Sequence, residues 1–331
     1  MWDSFRRGRK RAHHKLLLAL SYGVSSSVLL RTLNSHIEYQ TSKPYPPMTY
    51  ELHVLAVETP ISLSLDPNLG ERSKLVQEAF PRYSYAQMPM HSIFEYDAEF
   101  GQVMAELSAG YVDNPSLPNK DRLEAFCASM STSTSRVDVE ETVLRRLVVA
   151  YAKKLGCGAV MWGDSDSSLA AKTLACVAKG RARSLTWQLS DGMSPWGVAF
   201  HFPLRDFFKT EVIDYARLVP DLNSFIIPEV PLSDTVLTKN LSIDELMTRY
   251  VTSQAEKYPS VIGNVARMVT KLDHAPTAMD IALQCKFCGT FMGVLDGKSG
   301  DVDDGALEDS SQSYPFCYGC ARSRQDTIKH R

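Results

Sequence analysis

The sequence predicts an α/β protein built on a mostly parallel sheet with helices on both faces. Three observations carry this. Strand-like and helix-like segments alternate from residue 16 to about 218, the pattern that gives a parallel sheet covered on both sides. The first strand candidate, Leu16–Leu20, is a continuous apolar run leading into Tyr22-Gly23, as a buried strand followed by a turn requires. The chain also has enough apolar mass for a large core, with 331 residues, 44% hydrophobic and 22% charged, in the ordinary range for globular proteins.

Taken in order, Leu16–Ser21 reads as strand. Ser25–Leu33 reads as helix, with Val28, Leu29, Leu30 and Leu33 at helical spacing and Ser25 or Ser26 as N-cap. Glu51–Val57 is a second strand, Arg72–Phe80 a helix, His91–Tyr96 a candidate third strand and Asp97–Leu107 a helix. Residues 109–136, with Pro115, Pro118 and the polar run Ser131–Ser135, read as loop or linker. Asp138–Leu155 is the clearest helix. Val143, Leu144, Leu147, Val148, Tyr151 and Leu155 share a face, and Gly156 stands where a C-terminal glycine belongs. Ala159–Trp162 is a strand, Gly163–Asp166 a turn, and Leu169–Val177 a helix. Val198–Leu204 is a further strand, and Asp206–Leu218 a helix with Phe208, Val212 and Tyr215 inward. Beyond residue 220 the alternation stops, and helices near Ser242–Lys257 and Ser260–Leu272 lead into a cysteine-bearing region.

The division expected is therefore a basic arm over 1–15, an α/β domain over 16–220, a helical segment over 221–280 and a cysteine module over 281–331. The arm carries Arg6, Arg7, Arg9, Lys10, Arg11 and Lys15 against one acid. It reads either as a solvated tail or as a phosphate-contacting arm. The net charge of −2 gives no global attraction to nucleic acid, so RNA contacts would have to come from local basic patches. No apolar run approaches the roughly 18 residues of a membrane span. The basic N-terminus lacks the apolar stretch and cleavage site of a secretory signal, and Leu16–Leu20, read as core strand, argues against a presequence.

Of seven cysteines, four form the pairs Cys285-Lys-Phe-Cys288 and Cys317-Tyr-Gly-Cys320. An odd count with paired spacing points to a reducing compartment and a metal site, not a disulfide framework. Each pair can present two thiolates to one ion, with Gly289 and Gly319 permitting tight turns, so the four make a closed, structural, zinc-ribbon-like site. An iron–sulfur cluster also takes four thiolates; it ranks below zinc because no catalytic loop asks for redox chemistry. The intervening Gly297–Ser311, rich in Gly, Asp and Ser, reads as disordered loop. Cys157 and Cys176 read as core residues, and Cys127, near a loop, as the one candidate reactive thiol.

Ser21-Tyr-Gly-Val-Ser-Ser-Ser27 joins a strand to a helix, where backbone N–H groups and a helix N-terminus can receive a phosphate. One glycine and several hydroxyls also describe an ordinary turn. The element order together with this loop resembles the PP-loop ATP pyrophosphatases, a Rossmann-like family with the loop pattern Ser-Gly-Gly-x-Asp-Ser. Four segments in sequence are more closely similar to the cytoplasmic tRNA 2-thiolation protein 2 family: Lys15–Leu30, Val160–Ala170, His201–Asp206 and the two cysteine pairs.

The resemblance implies a part in replacing the C2 oxygen of the wobble uridine of cytosolic tRNAs for Lys, Glu and Gln by sulfur. It implies ATP-dependent adenylation in the complex, a thiocarboxylated ubiquitin-related modifier as sulfur donor and a catalytic paralogue, tRNA 2-thiolation protein 1, as partner. It also implies a Cys-rich segment ahead of the basic run, whereas this chain starts at Met1 just before Arg6. Within the loop, Ser21, Gly23 and Ser26 match the active pattern. Tyr22 replaces the first glycine and crowds the phosphate approach, Ser25 replaces the aspartate, and Val24 stands where active thiolases often carry lysine. Asp164-Ser-Asp166 follows the retained Gly163 but lacks the histidine and paired acids of active relatives. The expectation is a partner subunit with no catalytic residues, in which Ser21, Gly23, Ser25 and Ser26 are the remnant of an ATP loop. Two alternatives stay open: an autonomous ATP-dependent tRNA sulfurtransferase, and a zinc-ribbon nucleic-acid adaptor with no thiolation role.

Overall fold

The computed structural model of the chain describes residues 13–43, 49–108, 111–228, 241–272, 284–292 and 315–324. The elements are β1 (His13–Ala19), α1 (Val24–Thr41), β2 (Thr49–Glu58), α2 (Pro60–Leu65), α3 (Leu69–Ala79), β3 (Ser84–Pro89), α4 (Ile93–Tyr96), α5 (Phe100–Leu107), α6 (Asn119–Ala128) and α7 (Ser133–Leu155). Then come β4 (Ala159–Trp162), α8 (Asp166–Ala178), α9 (Leu185–Gln188), β5 (Gly192–Met193), β6 (Ala199–His201), α10 (Lys209–Leu218), α11 (Pro220–Asn223), α12 (Ile243–Ala255), α13 (Pro259–Met268) and α14 (Tyr318–Ser323). The strands form one sheet in the order β3-β2-β1-β4-β6-β5, parallel except for the β5–β6 pair. The expected mostly parallel α/β class is therefore what the chain adopts.

Strand side chains alternate between two cores, which explains why the strands read as unbroken apolar runs. Leu17, Leu55 and Val160 point into one core, with α5–α9, α12, α13 and all four paired cysteines. Leu16, Leu18, Leu52, Val54 and Met161 point into the other, with α1, α3, α10 and Phe225. The cysteine module thus shares the first core with the sheet.

Two element assignments and one buried face differ from expectation. The third strand is Ser84–Pro89, and Ile93–Tyr96 is helical. β3 is a sheet edge with only one fully buried residue, so its apolar signal is weak; an edge also tolerates Pro89. The apolar residues that follow serve a helical turn that plugs the core through Ile93. Residues 109–136 hold a helix, α6, and the start of α7 rather than a linker. The polar run is a cap: Thr132 Oγ1 accepts from the Ser135 N–H at 3.0 Å, satisfying a free first-turn donor. On α10, Val212 and Ala216 are buried while Tyr215 is exposed, because that face packs on α1. Gly156 ends α7 as expected, at φ +71° in the left-handed region that glycine enters freely.

A charged seam joins α7, the turn after α8, α12 and α14. Arg181 Nε donates to both carboxylate oxygens of Asp138 at 2.8 and 2.9 Å, and its Nη2 donates at 2.5 Å. Lys179 Nζ reaches Asp138 at 3.0 Å and Asp244 at 2.7 Å, and Ser323 Oγ donates to Asp138 at 2.9 Å. Asp138, Lys179 and Arg181 are all buried.

Burial pushes the Asp138 carboxyl up, but Arg181 and Lys179 outweigh it and hold the group at about 2, below its ordinary 3.8. A depressed carboxylate contributes stability above its unfolded pKa and loses it as pH falls through the folded value. Urea titrations should therefore lose on the order of 2 kcal/mol from this group between about pH 4 and pH 2. Asp138→Asn should flatten that stretch of the profile, and an unchanged profile would remove Asp138 as its source.

Candidate nucleotide crevice and metal centre

The sheet order reverses between β1 and β4, and ligands of open α/β sheets sit outside the strand ends at such a point. A cavity of about 220 Å³ lies there, walled by Ser21, Tyr22, Ser26, Val57, Glu58, Asp164 and Lys172 among others. Gly23 and Ser25 are not in its wall. A Cβ on Gly163 would lie 2.5 Å from the Ser26 Cα, so the turn after β4 presses directly on the first turn of α1.

Two of the loop's backbone donors are satisfied within the loop. The N-cap of α1 is Gly23, without a side-chain cap, so neither Ser25 nor Ser26 plays that part. Ser26 Oγ instead donates back to the Gly23 carbonyl at 3.1 Å, accepts from the Ser21 N–H at 3.3 Å and lies 3.1 Å from Ser21 Oγ. Ser21 Oγ in turn accepts from the Gly23 N–H at 3.4 Å. The N–H groups of Ser21 and Gly23, which could meet a phosphate, are thus turned onto local hydroxyls. Tyr22 adopts φ +58°, a conformation costing about 1 kcal/mol for a residue with a Cβ. Its ring is buried in the second core, and burial pushes its hydroxyl above the usual tyrosine range. Tyr22 is therefore a fixed wall of the crevice. Its carbonyl accepts from the Ile227 N–H at 2.8 Å, which ties the strap after α11 across the loop.

The two acids of the second motif are already engaged. Asp164 accepts from Ser168 Oγ at 2.5 Å and Lys172 Nζ at 2.6 Å. Burial raises its carboxyl, but Lys172 outweighs this and holds it below the ordinary range. Asp166 accepts from the Ser167 N–H at 2.5 Å and the Lys209 N–H at 3.1 Å, so it serves the first turns of α8 and α10. Burial leaves it raised. Lys172 was not singled out by sequence, although its position eight residues after Asp164, along α8, was a readable signal.

The four paired cysteines come together. The sulfurs of Cys285, Cys288, Cys317 and Cys320 lie within 4.8 Å of one another, and all four residues are buried. Gly289 takes φ +73° and its N–H donates to the Cys285 carbonyl at 2.8 Å, closing the first knuckle as expected. Gly319 has another reason. It lies inside α14, and a Cβ there would stand 2.6 Å from the Arg181 Cγ. Arg146 holds the first knuckle from α7, donating to the Lys286 and Phe287 carbonyls at 2.7 and 3.0 Å and to Asp97 at 2.5 Å. Four convergent sulfurs, no competing carboxylate within the group, and guanidinium groups alongside fit a metal held by thiolates.

Cys127 is corrected as a reactive thiol. It lies in α6, it is buried, and burial pushes its thiol up to about 12, which suppresses the nucleophilic thiolate. Cys157 and Cys176 are core residues as expected. The arm residues Arg6, Arg7, Arg9, Lys10 and Arg11, and the loop Gly297–Ser311, lie outside the described residues. Among the described residues no helix is long and apolar enough to cross a membrane.

The structure is similar to that of the U34-tRNA thiolase NcsA from Methanococcus maripaludis, solved with its 4Fe–4S cluster, at a TM-score of 0.50 and 14% identity, covering 89% of this chain and 82% of that one. At that identity the likeness concerns the fold. The family model for cytoplasmic tRNA 2-thiolation protein 2 matches residues 242–299. The chain is 52% identical to the cytoplasmic tRNA 2-thiolation protein 2 of Neosartorya fischeri, covering 94% of this chain and 83% of the relative. It is 49% identical to that of Emericella nidulans, covering 93% and 94%. On identity of this extent along nearly its whole length, the chain belongs to the cytoplasmic tRNA 2-thiolation protein 2 family.

Proposed function

We propose that this chain acts in cytoplasmic tRNA thiolation as the non-catalytic subunit of a heterodimer with the catalytic PP-loop paralogue, tRNA 2-thiolation protein 1. The substrates are the wobble uridines of tRNAs for Lys, Glu and Gln, and the sulfur donor to the complex is a thiocarboxylated ubiquitin-related modifier. Family membership supports the role in tRNA thiolation, and the relatives' names support the compartment.

The observation that carries the non-catalytic part is the state of the crevice. Asp164 is neutralised by Lys172, Asp166 is committed to helix N-termini, and the loop N–H groups of Ser21 and Gly23 bond to local hydroxyls. Phosphoryl chemistry depends on charge aimed at the transferring group, and these groups are spent on the fold. Ser21, Gly23, Ser25 and Ser26 are the remnant of the nucleotide loop. Co-expression with the catalytic paralogue tests the reading: thiolation of tRNA should require both chains. This chain alone should neither bind ATP at micromolar concentration nor release pyrophosphate in the presence of tRNA. Either activity in the isolated chain would favour an autonomous sulfurtransferase, and intact wobble 2-thiouridine in cells lacking the chain would favour an unrelated adaptor.

Cys285, Cys288, Cys317 and Cys320 hold a structural zinc ion, whose four protein ligands leave no open position for chemistry. The 4Fe–4S cluster of the structurally similar thiolase supports a second reading, since such a cluster also takes thiolates. Elemental analysis separates them: about one zinc per chain and no visible iron–sulfur absorbance are expected. Cys288→Ser should lose the metal and lower the melting temperature, and an unchanged metal content would refute the assignment.

The arm over 1–15 contacts tRNA phosphates. Changing Arg6, Arg7, Arg9, Lys10 and Arg11 to Ala should weaken tRNA binding and flatten its dependence on salt, because binding through fewer phosphate contacts releases fewer counterions. An unchanged salt slope would count against the arm.

A further inference from the structure

Arg181 is an unexpected neighbour for a cysteine cluster. It is 5% exposed and follows α8 at the tight turn through Gly180, φ +70°. Its guanidinium splits its donors between two partners. One edge grips Asp138 in a fork. The other faces Cys320, with Nη1 at 3.4 Å and Nη2 at 3.5 Å from the sulfur. The Ser323 hydroxyl, one turn on from Cys320, returns to the same Asp138 carboxylate at 2.9 Å. The second knuckle therefore meets the α/β body through two routes that end on one buried acid.

The glycines on either side have room for nothing else. A Cβ on Gly319 would stand 2.6 Å from Arg181 Cγ, and a Cβ on Gly180 would stand 2.4 Å from the Tyr318 ring. The backbone of the second knuckle is thus laid flat over the arginine stem, and the Tyr318 ring over Gly180. No such contact is needed to bring four sulfurs together. The first knuckle is held by backbone carbonyls accepting from Arg146, whereas at the second the arginine donates to a ligand sulfur itself.

We infer that Asp138, Arg181 and Cys320 form a carboxylate–guanidinium–thiolate relay that positions the second knuckle and strengthens metal retention by the four cysteines. The physical reason is charge. Four thiolates around a divalent ion leave a net charge of about −2, which is costly to bury. A guanidinium donating to one sulfur lowers that cost, and the carboxylate behind it fixes its orientation, as outer-sphere partners do for metal-bound histidine. Arginine suits the position because its planar fork satisfies a carboxylate and a sulfur at once, which a lysine ammonium cannot do with the same geometry. Arg181 is in this sense a positioning residue.

The inference rests on the reading of the four cysteines as a metal site, and the test keeps the two apart. The full chain, loaded with zinc or with cobalt(II), is challenged with a chromophoric chelator, and the sulfur-to-cobalt charge-transfer band is recorded. Arg181→Met keeps the stem and removes the donors. The double variant Arg181→Met with Asp138→Asn also removes the acid that would otherwise keep only Lys179 and Ser323 of its partners, so a folding defect from a weakened buried pair is relieved. Arg181→Lys restores charge without the fork. The expected result is a dissociation constant raised about 10- to 100-fold in the single and double variants. The cobalt band should shift in both, with partial recovery in the lysine variant. Wild-type affinity and an unshifted band in the double variant, while Cys288→Ser loses its metal, would overturn the relay and leave the metal site standing. A wild-type chain that binds neither ion would overturn both.

Discussion

Asp138 is a buried carboxylate on α7, and the contacts that α12 and α14 make there answer the need to compensate its charge. A charge removed from water costs several kcal/mol unless it is paired and fully hydrogen-bonded. Asp138 receives donors from Arg181, Lys179 and Ser323, and Lys179 in turn needs Asp244 on α12. One acid on α7 therefore recruits the turn after α8, the start of α12 and the last helix of the cysteine module. Hydrophobic burial alone is non-directional and leaves the placement of these pieces against the sheet under-determined. The charged seam adds directional contacts to it.

At the crevice the same economy of charge works in the opposite direction. The layout in which open α/β sheets place a ligand site is present: a strand, a tight loop, a helix N-terminus and a second strand end facing it across the sheet's reversal point. The polar groups that would act there have been satisfied internally. Lys172 neutralises Asp164, the N–H donors of α10 and α8 occupy Asp166, and Ser21 and Ser26 bond to one another. A site whose groups are already partnered is stable, and it has little left to offer a phosphate that develops charge in a transition state. The crevice survives as a feature of the fold, and the proposed role in thiolation leans on the partner subunit for chemistry.

Elements were legible where local pattern and burial agree. α7 shows its periodic face and its terminal glycine, and β1 and β4 show unbroken apolar runs because both sides of each are covered. β3 was misplaced because an edge strand buries little and leaves no such run. The start of α7 read as linker because Thr132 and its neighbouring serines are turn-formers in isolation, and only the helix behind them makes Thr132 a cap. Cys127 reads as a candidate reactive thiol for the same reason: with α6 read as loop, nothing indicates that its sulfur is enclosed.

By itself, the sequence determined the class of sheet, the place of the strand–loop–helix turn at Ser21–Ser27 and the four cysteines that converge. Each depends on residues close in the chain, whose spacing is translated directly into geometry by the strand repeat, the helix repeat or a two-residue knuckle. Tertiary structure alone decided what those pieces touch. Arg181 meets an acid 43 residues before it and a cysteine 139 residues after it, Asp166 caps a helix 43 residues on, and Gly319 makes room for an arginine rather than for a turn. Such partners are selected by the cost of leaving a charge or a donor unpaired inside a packed core, a constraint that comes into being only when the core closes.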